Sequence, residues 1–154
     1  MLNNKVLKLL IIWFIMGMVY FTIEGIWRIP KGGEANIVML PIGGMCGILV
    51  GGINQIPKFY NLKIWQQSLI GTIIVLIVEY FSGYILNIVF ELGVWDYSNL
   101  PFNLDGQISL LFAVFWYILM PAAIWLEDYI RCVFWKENCG YGIFSIYKEF
   151  LFFR

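Results

Sequence analysis

Two glutamates in apolar surroundings are the first candidates for chemistry in this chain of 154 residues. Glu79 is flanked by Val78 and Tyr80 within a long aliphatic stretch, and Glu24 lies near the end of another. An aspartate placed at the centre of a membrane helix costs about 2.5–3.5 kcal/mol on insertion scales, so a glutamate there should face other helices or water. Glu79 is therefore either part of a substrate or ion path or a hydrogen-bonded packing element.

Glu24 has Arg28 four residues further on, a spacing that allows an ion pair within one helix. Taken alone, this pair is more typical of a helix end at the membrane interface than of a binding site. Glu79 has Thr72, Gly83 and Asn87 on the same helical stripe. This pattern predicts that the stripe faces the interior of a helical bundle.

The segment 95–106 mixes Trp, Tyr and Phe with Asp, Asn, Ser, Pro and Gly. Short polar side chains such as Asp96 and Asn103 bond nearby backbone and favour turns, and Trp and Tyr favour the membrane interface. The segment predicts an ordered lid or plug, with a simple aromatic anchor as the alternative. The candidate substrate or ion path consists of Glu79, Glu24, Asn87, Asp96 and Asn103.

The residue inventory excludes several other kinds of site. The chain has no histidine, so it has neither a histidine-activated nucleophile nor a histidine-ligated metal. It has no P-loop, and Cys46, Cys132 and Cys139 form no CxxC motif. The net charge of zero gives no basic surface for nucleic acid. We therefore expect no enzyme activity, no cofactor, no metal and no nucleic-acid partner.

The elements that must position these residues are membrane helices. Hydrophobic residues make up 61% of the chain and charged residues 13%, with a mean hydropathy of +0.79. A soluble domain is usually about 45–50% apolar and about 25% charged. The sequence predicts an all-α integral membrane bundle in residues 1–131, with four transmembrane helices and an ordered outer loop between the third and fourth. The predicted spans are 6–27, 37–53, 66–90 and 108–126, and residues 132–154 form a short cytoplasmic or interfacial tail.

Glycines in the second and third spans predict close helix packing. Gly43, Gly47 and Gly51 follow one another at intervals of four residues, and Gly83 lies on the polar stripe of the third span. Small residues at such spacing allow another helix to approach closely. The sequence does not show whether that helix belongs to the same chain or to a second copy.

The distribution of basic residues predicts the orientation. With four spans, eight of the ten Lys and Arg residues fall on the side of the two tails and the central loop. The other side carries Arg28 and Lys31. By the positive-inside rule, both termini are expected in the cytoplasm. Cys132 and Cys139 are then expected as reduced thiols.

Several motifs resemble a known bacterial family. They are Glu-Tyr-Phe-Ser-Gly at 79–83, Trp-Asp-Tyr-Ser at 95–98, Pro-Phe-Asn at 101–103, Gly-Gln-Ile at 106–108, and Trp116. Over roughly residues 20–131 the chain resembles the family named Putative ABC-transporter type IV, also called CmpB-like membrane proteins. The resemblance implies a multi-pass protein of the bacterial cell membrane, and a shared site that includes Glu79, Asp96 and Asn103.

The function expected on this basis is that of a permease-like transport component without its own ATPase. The expected partners are the lipid bilayer and either further copies of the chain or a separate transporter subunit or ATPase. The alternative is a small membrane scaffold or regulatory protein that acts through helix packing and its cytoplasmic tail. An intramembrane enzyme using Glu24 and Glu79 ranks last, because no nucleophile or metal set accompanies them.

Overall fold

The computed structural model describes residues 5–137 and 139–153, apart from the side chain of Tyr60. The α-helices are α1 (Lys5–Arg28), α2 (Met39–Gly51), α3 (Pro57–Tyr60), α4 (Ile64–Gly83), α5 (Leu110–Trp135) and α6 (Ile143–Leu151). Short 3-10 turns follow α1 and α2, and a π-helix, Tyr84–Val89, continues α4. The strands β1 (Asn103–Leu104) and β2 (Ile108–Ser109) form an antiparallel pair between α4 and α5.

Three of the helical segments within the described ranges are long and apolar enough to cross a membrane, and they are Lys5–Lys31, Ile64–Val89 and Leu110–Trp135. The predicted second span, 37–53, corresponds to the shorter apolar segment Met39–Gln55. At 1.5 Å per residue, the 13 residues of α2 extend about 20 Å, against about 30 Å for the hydrocarbon core of a bilayer. The prediction of an all-helical fold is confirmed as three long apolar helices and one shorter one.

The glycines of α2 pack against side chains of the same chain. An added Cβ at Gly43 would lie 2.3 Å from Cβ of Tyr20, and one at Gly47 would lie 2.3 Å from Cβ of Met16. Both contacts are with α1, whereas Gly51 faces α5. The helix partners of the glycine stripe therefore lie within this chain.

The backbones of α1 and α2 approach each other directly where they run antiparallel. An added Cβ at Gly17 of α1 would lie 2.4 Å from the carbonyl oxygen of Leu40. An added Cβ at Gly44 of α2 would lie 2.5 Å from the carbonyl oxygen of Trp13. Because backbone atoms cannot rotate away, both positions require glycine at this helix separation.

The third predicted span, 66–90, is divided into an α-helix and a π-helix. Helix α4 begins after Lys63, whose backbone N–H donates to the side-chain oxygen of Gln66 at 3.0 Å. After Gly83 the chain winds into the π-helix Tyr84–Val89. Single π-helical turns are often found at functional sites, and this one carries Asn87.

Helix α5 runs beyond the predicted span 108–126 and ends at Trp135, and Pro121 lies inside it. Proline lacks a backbone N–H, so a carbonyl in the preceding turn loses its helical donor. The hydroxyl of Tyr147 in α6 donates to the carbonyl oxygen of Ile118 in that turn, at 2.9 Å. This bond fastens α6 to the middle of α5.

We call the end of the bundle that carries residues 90–109 the loop end, and the opposite end, with α3 and α6, the tail end. At the tail end a disulfide joins Cys132 to Cys139, with the two Cα atoms 5.1 Å apart. The prediction of reduced thiols at these two positions is wrong for this structure. Helix α5 ends with Lys136 in the left-handed conformation, which turns the chain back and brings Cys139 to Cys132.

Candidate functional site at the loop end of the bundle

Glu79 is buried between three helices, with 4% of its surface exposed. One carboxylate oxygen accepts a hydrogen bond from the Tyr20 hydroxyl of α1 at 3.0 Å. The other oxygen is buried and accepts no hydrogen bond of ordinary geometry from the described residues, although the Trp116 indole N–H, which is also unpaired there, lies close enough to act on the carboxylate. The ring of Tyr20 stacks on the indole of Trp116 in α5, with ring centroids 5.4 Å apart and planes 9° apart. Glu79 therefore has one oxygen with a hydrogen bond of ordinary geometry and a second oxygen that lacks one.

The face of α4 that carries Glu79 also carries Thr72 and Gly83, and all three are buried. The Thr72 hydroxyl donates to the carbonyl oxygen of Ser68 in its own helix at 2.8 Å. Gly83 is in contact with the side chain of Gln107, because an added Cβ would lie 2.5 Å from its amide oxygen. The polar stripe of α4 thus faces the bundle and ends beneath the loop.

Asn87 joins α4 to the loop through both atoms of its carboxamide. Its nitrogen donates to the side-chain oxygen of Gln107 at 2.8 Å, and its oxygen accepts from the backbone N–H of Val94 at 2.7 Å. The indole N–H of Trp95 donates to the carbonyl oxygen of Gln107 at 3.0 Å. Asn87 therefore anchors the loop, and its hydrogen-bonding groups are engaged in doing so.

Asp96 and Asn103 shape the loop itself. The Asp96 carboxylate accepts from the backbone N–H of Ser98 at 2.8 Å and from the Ser98 hydroxyl. These bonds favour the ionised form and hold the pKa of Asp96 below its usual value. Asn103 donates to the carbonyl oxygen of Leu100 at 2.7 Å and accepts from the N–H of Gly106 at 3.0 Å. Asn103 is thus committed to the turn that precedes β2.

Glu24 lies at the mouth of a cleft above Tyr20. Its carboxylate pairs with Arg28 at 3.2 Å, and Arg28 also donates to the carbonyl oxygen of Val94 at 3.0 Å. This ion pair therefore ties α1 to the start of the loop. The cleft has a volume of about 440 Å³, and we call it the vestibule. Its lining includes Glu24, Arg28, Lys31, Asp96 and Tyr97.

Tyr97 lies between the vestibule and Tyr20. Its ring stacks on Phe112 of α5, with ring centroids 4.4 Å apart. Burial raises the pKa of the Tyr97 hydroxyl, and the negative charges of Glu79 and Glu24 raise it further. The loop thus places an aromatic hydroxyl within electrostatic reach of both glutamates.

The structure brings the predicted site residues into one region, but in different roles. Glu24 and Asp96 line the vestibule, Glu79 lies beneath it, and Asn87 and Asn103 hold the loop in place. Sequence reasoning missed Tyr20 and Gln107. The periodicity of α1 gave no indication that Tyr20 pairs with Glu79, 59 residues away.

A second polar cluster lies at the tail end, where the helical spacing of Glu127, Asp128 and Arg131 in the sequence indicates ion pairs but not the partners on other segments. Glu127 is fully buried and pairs with Arg131, whose Nε lies 2.6 Å from the carboxylate. Asp128 accepts hydrogen bonds from Asn54 and from the Tyr141 hydroxyl. This cluster joins α5, the turn after α2 and the tail.

A family model described as "Putative ABC-transporter type IV" matches residues 9–137 of the chain. No curated protein and no solved structure is significantly similar to it. The match covers all three long apolar helices almost completely, the shorter helix α2, the vestibule and the loop. The chain belongs to the Putative ABC-transporter type IV family.

Proposed function

We propose that this protein is a permease-like component of a bacterial membrane transport system and that it has no ATPase and no catalytic activity of its own. Family membership supports a transport-related role in a membrane. The proposal places the loop end outside the cell and the tail end in the cytoplasm, with α2 as a short fourth span. The bias of Lys and Arg towards the tail end supports this orientation.

The observation that carries the proposal is the environment of Glu79. An ionisable group inside a membrane protein is expensive to bury and commonly marks a path for a substrate, an ion or a proton. An unpaired buried acceptor costs about 1–3 kcal/mol, and a buried carboxylate without a basic partner has no opposite charge to offset its burial. Within the described part of the chain, Glu79 has a hydrogen bond of ordinary geometry on one oxygen alone and no basic partner, whereas Glu127, which also has one unpaired oxygen, forms an ion pair with Arg131.

The path runs from the vestibule inward past two aromatic hydroxyls. Glu24 and Arg28 lie at its mouth, Tyr97 lies below them, and Tyr20 contacts Glu79 directly. Rotation of the Tyr20 side chain would release Glu79 and open its carboxylate towards the vestibule. Tyr20 is thus the gate of the proposed path, and Glu79 is its internal binding group.

Because the sequence contains no P-loop, the proposal includes a partner in the supply of energy for transport. This is either a separate ATPase or further copies of the chain that use an ion gradient. The exposed apolar faces of α4 and α5 include Ile73, Ile77, Val114 and Ile118, each about half exposed. These faces suit contact with lipid or with a partner membrane helix.

A scaffold or regulatory role is the second candidate, and the tail favours it. Helix α6 is fastened to α5 through Tyr147, while Phe144 is 90% exposed and Phe152 is 65% exposed. Large exposed aromatic side chains next to a membrane are suited to the interface or to a protein partner. In this case the polar site would serve packing, and the tail would carry the function.

The test begins with the complex purified from native membranes in a mild detergent. We expect native mass spectrometry to show either a co-purifying ATPase or a defined homo-oligomer. The complex is then reconstituted in liposomes that carry proton-sensitive and potassium-sensitive dyes, and flux is driven by an imposed membrane potential. We expect flux of one probe that Glu79→Gln reduces at least tenfold while the mass of the complex is unchanged.

Glu149→Gln, in α6, is the matched control and should leave flux unchanged. Deletion of residues 139–154 separates the two candidate functions. The scaffold role would be established instead if the deletion abolished partner binding while Glu79→Gln had the same flux and the same partners as the unaltered protein. A monomer without flux of either probe would refute the transport proposal.

A further inference from the structure

A groove runs between α1 and α5 from the vestibule into the bundle. Helix α1 packs mainly on α2 and makes few contacts with α5. Below the vestibule the gap holds a pocket of about 60 Å³ and then one of about 130 Å³. Tyr97 and Phe112 line the vestibule and the upper pocket, and Trp116 and Leu119 line both smaller pockets. The three spaces therefore lie next to one another along the two helices, and we call them together the α1–α5 groove.

The polarity of the groove changes along its length. The mouth carries the charged side chains of Glu24, Arg28 and Lys31. The lower pocket is lined almost entirely by apolar side chains, including those of Met16 and Leu126. A charged mouth above an apolar channel matches a molecule with a polar head and a hydrocarbon tail.

The groove is longer than one leaflet of a membrane is thick. From Phe112 to Leu126 the axis of α5 rises about 21 Å. The hydrocarbon core of a bilayer is about 30 Å thick, so one leaflet spans about 15 Å. The two smaller pockets have volumes of about 60 and 130 Å³, so part of an acyl chain with its head at the vestibule would lie in them and the rest along the side of the groove where α1 and α5 make few contacts.

The vestibule carries two basic and two acidic side chains, and one of the basic ones, that of Lys31, is not paired with a carboxylate of the described residues. Arg28 and Lys31 are the two basic residues on the predicted outer side of the sequence, and both line the vestibule. Glu24 is paired with Arg28, and the Asp96 carboxylate is bonded by Ser98. The Lys31 ammonium lies 4.4 Å from the ring centre of Trp27 and has no carboxylate partner within the described residues. It is therefore placed to meet a phosphate.

We propose that the α1–α5 groove binds an anionic phospholipid, with its phosphate at Lys31 and Arg28 and one acyl chain in the apolar pockets. This assignment rests on the proposed function in one respect, because it takes the lipid as the substrate of the transport path. Lipid binding itself is a separate property of the groove. Tyr20 and Trp116 line the lower pocket and stack on each other, and Tyr20 donates to Glu79, which links lipid occupancy to the internal carboxylate.

The experiment is native mass spectrometry of the full chain, delipidated in detergent and then supplied with phosphatidylglycerol or phosphatidylcholine of the same chain length. We expect one retained lipid per chain and a preference for phosphatidylglycerol. Leu119→Trp, which fills the groove, should lower lipid retention at least tenfold. Ile73→Trp, on the exposed face of α4, is the matched control and should retain lipid normally.

The head and the tail are tested separately. Lys31→Gln should lower the preference for phosphatidylglycerol about fivefold, since a basic residue at a membrane surface contributes about that factor. Lys58→Gln, at the tail end, should not change it. Soluble glycerol phosphate should fail to displace the lipid, because it lacks the acyl chain.

Equal lipid retention by the Leu119→Trp and Ile73→Trp variants would overturn the assignment. The assignment would also be overturned if the protein retained no lipid and formed a dimer that Leu119→Trp abolishes. That result would show a second copy of the chain as the occupant of the groove. Retained lipid binding without Glu79-dependent flux refutes the proposed function alone. Glu79-dependent flux without lipid retention refutes the lipid assignment alone.

Discussion

Substitution of Gly17 by alanine tests the closest contact in the bundle, the one between α1 and α2. The new methyl group would lie 2.4 Å from the carbonyl oxygen of Leu40, whereas ordinary contacts begin at 3.4 Å. The two helices must therefore separate by about 1 Å along their contact. Overpacking of this kind costs about 1–3 kcal/mol, and a backbone partner that cannot rotate away places this case near the upper end.

The matched control is Gly25→Ala in the same helix. An added Cβ at Gly25 would lie 3.8 Å from Cβ of Ala35, which is ordinary van der Waals contact. Both substitutions gain up to about 1 kcal/mol in helix propensity. We therefore expect Gly17→Ala to lose about 2 kcal/mol and Gly25→Ala to gain up to about 1 kcal/mol. The difference is about 150-fold in the folding equilibrium.

The assay is equilibrium unfolding in mixed micelles, followed by tryptophan fluorescence and far-UV circular dichroism, with thermal unfolding in parallel. A loss of 2 kcal/mol corresponds to a fall in Tm of about 4–8 °C for a chain of this size. If the Gly17→Ala protein were as stable as the Gly25→Ala protein, the direct backbone contact of α1 with α2 would be refuted.

Three further predictions concern the loop. Gly106→Ala should lower the stability measured by thermal unfolding by about 1–3 kcal/mol, because φ at Gly106 is +68° and an added Cβ would lie 2.6 Å from the Ser98 hydroxyl oxygen. Gly142→Ala is the control and should leave the stability unchanged, because an added Cβ there meets nothing within 4 Å. Asn87→Ala should leave the backbone N–H of Val94 unpaired, and its hydrogen exchange should accelerate while exchange in α1 does not. The lowered pKa of Asp96 stabilises the loop above the unfolded value near 3.9, and this contribution is lost as the pH falls through the folded pKa. The protection of residues 95–106 against hydrogen exchange, taken relative to the intrinsic amide rate at each pH, should therefore fall in acid for the unaltered protein, and Asp96→Asn should remove most of that pH dependence.

The long helices could be predicted because length and hydropathy dominate the behaviour of a chain in lipid. The limits of α2 could not be predicted, because its apolar run continues into the turn that begins at Gly52. The π-helix could not be predicted either, because Asn87 within it bonds a backbone N–H of the loop, and local sequence patterns do not show such a contact. Sequence periodicity shows which face of a helix is polar, but it does not show the wider hydrogen-bond network around it.

The candidate site could likewise be predicted from the sequence only where local patterns determine it. The stripe on α4 predicted that Glu79 faces the bundle, and it is buried there. Its contact with Tyr20 pairs two helices that are far apart in sequence, and no local pattern encodes that pairing. Asn103 illustrates the opposite case. Its residue type indicated a turn, and the structure uses its whole carboxamide for that turn.

The redox state of Cys132 and Cys139 in the cell shows on which side of the membrane the tail end lies. Disulfides persist in oxidising compartments and are rare in the cytosol, so the state of this pair in living cells depends on the side of the membrane that holds the tail. A thiol reagent applied to intact cells before lysis should label both cysteines if the tail end is cytoplasmic. If both cysteines are labelled, they are reduced in the growing cell, and the disulfide forms only when the protein is oxidised. In the cell the tail is then held by its contacts with α5, including those of Tyr141 and Tyr147.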